Sequence, residues 1–318
     1  MSLLRLRFHM LGTLAAIIAV STLGIGLVLS MMGEFNVTTL IIVVTVFNVG
    51  QWLLAPYIIN AIYKARQMDP SESPRLHQAV EDLSTRSGIK KPKLMYSSLD
   101  IPNAFAYGSP LTGSHVAVTQ GLLRSLSVDE VEAVIGHELG HLKHRDVQAM
   151  MFLSLLPSIF YIIARSTLFS RLYGNRDRRD SGALAIVGGA SMLIYFVLLL
   201  FNMGFSRLRE YYADQHSAKV VENGAWKLST GLAKITTYTA RAQDMGVGSP
   251  SAGGFKALFI SDPDRALHDA QELQAAGLIS DSDLVGSIMS RRVTALDSLG
   301  ELFSTHPNIV KRLRAINA

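Results

Sequence analysis

Apolar residues along this chain are gathered into four runs separated by stretches of mixed polarity. Residues 10–32, 37–62 and 183–205 contain no charged side chain, and 149–163 form a shorter run that continues weakly to Phe169 past Arg165. A helix needs about 20 apolar residues to cross the hydrocarbon core, so the three uncharged runs are long enough. The first is expected to be kept as half of a helical hairpin. It exceeds the roughly 7–15 apolar residues of a signal peptide, and the second run follows after only Gly33-Glu34-Phe35-Asn36. The run at 149–163 is short and contains Pro157, so it reads as a span, with a buried helix or a re-entrant segment as alternatives.

The polar stretches, 63–148 and 206–318, carry other periods. Asp69-Pro70-Ser71-Glu72-Ser73-Pro74 reads as a linker. An amphipathic helix is predicted over 74–87, stopping at Gly88, and short strands over 93–98 and 115–119. A helix over 128–145 is announced by Ser127 as N-cap with Glu130 three positions on, the capping-box pattern. The part from 206 onward is mostly helical, with a looser Gly/Ser stretch at 246–254. The predicted organisation is a transmembrane hairpin (1–62), a first part of a cytoplasmic domain (63–148), a second transmembrane pair (149–205) and a second part of that domain (206–318).

Composition agrees. Of 318 residues 17% are charged and 49% hydrophobic, below the quarter charged expected of a soluble chain. The net charge of +5 belongs to the flanks of the apolar runs, and no basic–aromatic cluster suggests nucleic acid. Arg5 and Arg7 precede the first run, Lys64 and Arg66 follow the second, Lys143 and Arg145 precede the third, and Arg207 and Arg209 follow the fourth. The positive-inside rule then puts both termini and both polar parts in the cytoplasm of a multi-pass protein of the cell membrane. The loop holding Arg171, Arg176, Arg178 and Arg179 runs against this pattern.

There is no Cys, so a metal must be held by His and carboxylate. His137-Glu138-Leu139-Gly140-His141 offers two imidazoles about 40° apart on one helix face at 3.6 residues per turn. Two neutral nitrogens, a third protein ligand and an open position are what a catalytic zinc needs, with Glu138 beside them as a base. His144 lies about 10 Å further along the helix axis than His137, too far to share the ion, and the downstream Gly and His of metzincins are missing. Glu210 in Arg207-Leu208-Arg209-Glu210-Tyr211-Tyr212-Ala213-Asp214 is the better third ligand. Asp214, four residues later, is the candidate for orienting a metal-bound His. An even number of membrane crossings must separate the His pair from Glu210, and the runs at 149–169 and 183–205 supply two.

On these residues the chain resembles the HtpX-type family of integral-membrane zinc metalloproteases (peptidase family M48), within the larger group that includes the CAAX prenyl proteases. The matching pieces are Pro102-Asn103-Ala104-Phe105-Ala106, Val116-Ala117-Val118-Thr119-Gln120-Gly121-Leu122-Leu123, the His137–His141 motif, Asp146, Ser206-Arg207, Arg209-Glu210-Tyr211, Ala213-Asp214 and Ser304-Thr305-His306-Pro307. Two departures are Asn308, where the family usually has a second Pro, and Gln120, where Glu is common. The resemblance implies a zinc endopeptidase of membrane-protein quality control, with one zinc ion per chain on His137, His141 and Glu210 and with Glu138 as base. The expected fold is a mainly α integral membrane protein, with about four transmembrane helices and a cytoplasmic gluzincin-like metalloprotease domain carrying a small β-sheet.

Around that core, His306 is a candidate catalytic donor to the developing oxyanion, with Arg312 as a second candidate. Residues 103–108 are a candidate edge strand for an extended substrate. Asp146 is open between a structural and a ligand-orienting role. The expected partners are polypeptide substrates, membrane proteins above all, and the lipid bilayer. Two other readings stand beside this one: a CAAX-type protease, which needs more spans, and a non-catalytic membrane protein with a structural zinc site.

Overall fold

A computed structural model describes residues 37–173, 181–244 and 280–318. The apolar run at 10–32, Arg176, Arg178 and Arg179, and the stretch 246–254 lie outside these. The described chain runs α1 (Val37–Ile62), β1 (Ala65–Gln67), α2 (Pro74–Ser87), β2 (Lys93–Ser97), β3 (Ala104–Ser109), β4 (Gly113–Thr119), α3 (Gln120–Ser125), α4 (Val128–Lys143), α5 (Asp146–Tyr173), α6 (Ser181–Val220), α7 (Gly224–Asp244), α8 (Asp281–Ser290), α9 (Ala295–Leu302) and α10 (Ile309–Ile316).

Local chemistry sets several boundaries. Pro74 opens α2, and Gly88 closes it in the left-handed region at φ 69°, returning its N–H to the last carbonyls. The capping box on α4 is present: Ser127 Oγ accepts from Glu130 N, and the Glu130 carboxylate accepts from Ser127 N. The sheet has the order β1-β2-β4-β3, with β2 and β4 parallel and the outer pairs antiparallel. Sequence patterning foresaw β2 and β4. The edge strand expected at 103–108 is β3, while β1 is too short to carry a period.

Both polar parts build one core. Val80, Val116 and Leu139 from the first pack in the same cluster as Leu228, Ile288 and Leu313 from the second. Between them α5 and α6 form an antiparallel pair, for Arg209 meets Asp146, Asn202 meets Leu153 and Tyr195 meets Tyr161. The pairing settles the form of the doubtful run: it is a continuous helix of 28 residues, Pro157 included. The run at 183–205 is the first part of a helix of 40 residues whose far end carries Glu210 and Asp214.

Among the described residues two helices are long and apolar enough to cross a membrane, over Ile41–Ile62 and Ala185–Val220. Both leave large apolar side chains uncovered, including Ile42, Val46, Ile186 and Phe201.

Candidate metal centre

The helix α4 presents His137 and His141 on the face turned to α6. Close approach of the two helices depends on small residues. A Cβ on Gly140 would stand 3.0 Å from Ala213 Cα, and one on Gly136 would stand 2.8 Å from Val221 Cγ2. Ser217 on α6 donates to the Ala133 carbonyl at 2.6 Å, binding the helices side by side. The approach brings Glu210 to the imidazoles: Oε2 lies 3.6 Å from His137 Nε2, and Oε1 lies 3.5 Å from His141 Nε2. The two Nε2 atoms are 3.2 Å apart.

Each imidazole has a carboxylate behind it. His137 Nδ1 lies 2.9 Å from Asp214 Oδ1, and His141 Nδ1 lies 2.6 Å from Asp146 Oδ2. Asp214 was expected in this role. Asp146 was undecided from the sequence, and the structure assigns it to His141. It is reached because α4 ends at His144, Arg145 turns the chain in the left-handed region (φ 55°), and Asp146 starts α5. Each carboxylate in turn meets an arginine. Arg312 donates through Nε at 2.9 Å and Nη2 at 2.6 Å to Asp214, and Arg209 Nε stands 3.5 Å from Asp146. Arg312 is 2% exposed and stands behind the ligands, with Nη1 3.3 Å from Glu210 Oε2. Sequence reasoning counted Arg207 and Arg209 as membrane flanks and as pieces of the family pattern, without a role in the site.

The donor set fits a cation. With His141 Nδ1 hydrogen-bonded to Asp146 and His137 Nδ1 within 2.9 Å of Asp214, the Nε2 atoms are left facing each other and Glu210. Glu210 Oε2 is buried with no well-aligned hydrogen-bond donor among the described residues, Arg312 Nη1 standing 3.3 Å away. Three electron-rich atoms converging in a buried place cost free energy unless a positive charge joins them. Tetrahedral zinc with bonds of about 2.0–2.1 Å puts its donors roughly 3.3 Å apart, close to the spacings present. His137, His141 and Glu210 are the group able to hold a metal ion among the described residues.

The same carboxylates draw a proton when no cation is present. Burial opposes charge on His137, yet Asp214 and Glu210 outweigh this and push its pKa up to about 10, so a metal ion binding there displaces that proton. Burial raises Glu138 above the usual carboxylate range, against the pull of the two imidazoles and of the Ala106 backbone N–H. That last contact puts Glu138 beside β3, whose outer edge has no strand partner among the described residues. His144 is the exposed cap of α4 and stands apart from the ligand set, as expected.

His306 is buried within electrostatic range of Glu210. Its segment is gripped by Arg207 on α6, whose Nη1 donates to the carbonyls of Glu301 and Ser304, both at 2.7 Å. Asn308, the departure from the family pattern, caps α10 by accepting from Val310 N at 2.9 Å. In the upstream motif, a Cβ on Gly121 would lie 2.0 Å from the Asp100 carbonyl oxygen, so only glycine fits. Thr119 Oγ1 accepts from Asn103 N at 2.9 Å and donates to Ile101 O at 2.8 Å, tying down the chain that enters β3.

Comparison with known proteins points the same way. The family model "Peptidase family M48" matches residues 70–318. A protease HtpX homolog of Thermoplasma acidophilum is 35% identical over 99% of this chain and 98% of its own length. One from Aeropyrum pernix is 41% identical over 84% of this chain and 81% of its own. The crystal structure of Ste24p from S. mikatae shares the fold at a TM-score of 0.57, with 19% identity, covering 99% of this chain and 67% of that one. With a family match over most of its length and relatives of this identity along nearly all of it, the chain belongs to peptidase family M48 and is an HtpX-type metalloprotease.

Proposed function

We propose that the protein is a membrane-embedded zinc endopeptidase that cuts misfolded or membrane-resident polypeptides from the cytoplasmic side. The single observation that carries the reading is the meeting of Glu210 with both Nε2 atoms, at 3.5 and 3.6 Å, from a helix more than sixty residues further along the chain.

His137, His141 and Glu210 would hold the ion, Asp214 and Asp146 setting their imidazoles. The ion, when bound, supplies Lewis acidity to a water and to the scissile carbonyl. Glu138 takes a proton from that water as its oxygen bonds to the carbonyl carbon, then gives the proton to the amine nitrogen as the C–N bond breaks. Burial raises its pKa, which makes it a stronger base for the water's proton. The free edge of β3 beside Glu138 offers backbone groups to an extended substrate. His306 is the candidate donor to the oxygen on which negative charge develops.

Membrane placement rests on the uncovered apolar faces of α1 and α6. With 10–32 and α5 these make four spans, in two pairs at 1–62 and 149–205, dividing the cytoplasmic domain into 63–148 and 206–318. Glu210 is about 8 Å past the end of the apolar run at 1.5 Å per residue, so the site lies near the bilayer surface, within reach of chains emerging from the membrane.

The test is Glu138→Gln. Metal content equal to wild type with proteolysis reduced by about 10²–10⁴-fold supports the mechanism. Equal proteolysis in both, or none in either with metal bound, overturns it. Cleavage of soluble unfolded chains with none of membrane-tethered ones would remove the substrate assignment.

A further inference from the structure

The short helix α9 is amphipathic in the opposite sense from a soluble protein's surface helix. Its inward side carries a buried carboxylate. Glu301 is buried, accepts the Asn308 N–H at 3.2 Å and pairs with Lys311. Asp297 is engaged in the capping box with Thr294. Its outward side is apolar: Leu299, Leu302 and the following Phe303 are 58%, 47% and 41% exposed. Positions 295, 299 and 302 fall on one helical face, so the exposed residues form a stripe. A contiguous uncovered apolar surface marks a contact that the isolated fold leaves unmade.

Where α9 sits says what covers it. Arg207 Nη1 donates to the carbonyls of Glu301, Leu302 and Ser304 at 2.7, 3.3 and 2.7 Å. The C-terminal end of α9 is therefore within one side chain's reach of the point where the apolar run of α6 ends. On either side of Arg207, α6 exposes Phe205 and Leu208, continuing the uncovered face that begins with Ile186. The stripe on α9 lies level with the last turn of that face. Arg292, exposed just before the helix, adds a cation suited to anionic headgroups.

We propose that α9 lies in the membrane–water interface, with Leu299, Leu302 and Phe303 inserted at the boundary of headgroups and acyl chains. This is the depth at which amphipathic helices bury their apolar faces. The inference rests on the reading of α6 as a transmembrane helix. It adds to the spans a lipid contact made by the catalytic domain itself. Because His306 follows Ser304 by two residues, this contact fixes the segment carrying His306 against the bilayer surface, where a membrane-tethered substrate would arrive.

The absence of native Cys makes the test direct. The full chain is reconstituted in phosphatidylethanolamine/phosphatidylglycerol vesicles with one nitroxide, attached through Leu302→Cys, Phe201→Cys or Asp82→Cys. Collision with oxygen, which partitions into lipid, is compared with collision with a water-soluble nickel chelate. The expected result is an oxygen-to-nickel ratio at 302 several-fold above that at 82 and approaching that at 201, repeated at Leu299→Cys. A water-like 302 with a lipid-like 201 overturns the proposal and leaves α6 in the membrane. A label at 302 shielded from both reagents also overturns it, because protein then covers the stripe. A water-like 201 removes the transmembrane reading itself.

Discussion

At the scale of single residues, the metal ligands are held by two parallel relays. His137 leans on Asp214, which is clamped by Arg312, and His141 leans on Asp146, which faces Arg209. Partners of this kind fix the tautomer and the ring orientation, and their loss costs about 10–100-fold in metal affinity. Asp146→Asn, measured by competition with a chromophoric chelator, is expected to show a loss in this range with a smaller change in thermal stability, because Arg209 stands 3.5 Å off and does not grip Asp146 through two hydrogen bonds. Asp214→Asn leaves Arg312 buried beside a neutral amide. Breaking a buried pair costs about 3–5 kcal/mol, so this variant should lose both metal affinity and several degrees of Tm. Equal effects of the two variants on stability would contradict the difference in arginine pairing. Of these residues, the ligands, Glu138 and Asp214 were legible as types at helical spacing. Asp146 was visible as a carboxylate past a helix end and as a piece of the family pattern, but its partner was not, because that is set by the turn at Arg145, which no period announces.

At the scale of elements, the site is a contact between two helices. Glycines at 136 and 140 let α4 lie close enough to α6 for Glu210 to reach both imidazoles. The effect of Gly140→Val follows. Its side chain meets Ala213 and His216, the overpacking costs about 1–3 kcal/mol, and the helices part. Metal affinity is expected to fall while Glu138 and all three ligands remain in the chain; unchanged affinity in a folded protein would show that the approach is not what assembles the site. The capping box of α4 was readable because its rule is local, as was the stop of α2 at Gly88. The strand β3 was readable only as a candidate, since a hairpin partner, β4, decides whether residues 104–109 are strand or loop.

At the scale of the molecule, the catalytic domain is interrupted by a helical pair and closed again by the C-terminal third of the chain, through a shared core and through Arg312. The expected consequence for orientation is testable without disturbing the fold. In right-side-out cells a single Cys at Asp82 should react with a membrane-impermeant maleimide only after the membrane is opened, and labelling of intact cells would reverse the orientation. Metal removal belongs at this scale too, since binding to the folded state alone stabilises by about 4 kcal/mol at a thousandfold excess over Kd. Chelation should lower Tm in wild type, and lower it less in a His141→Ala chain that binds weakly.

The sequence alone determined the apolar runs, the helix bearing His137 and His141, and the carboxylate-bearing helical extension, because each rests on a repeat of a few residues or on composition over twenty. Only the tertiary structure decided that the His pair and Glu210 share one point, that Asp146 completes the site and that Arg312 stands behind it. Those facts depend on how closely two helices approach and where the chain turns between them, and distances across a fold are set by packing rather than by local pattern.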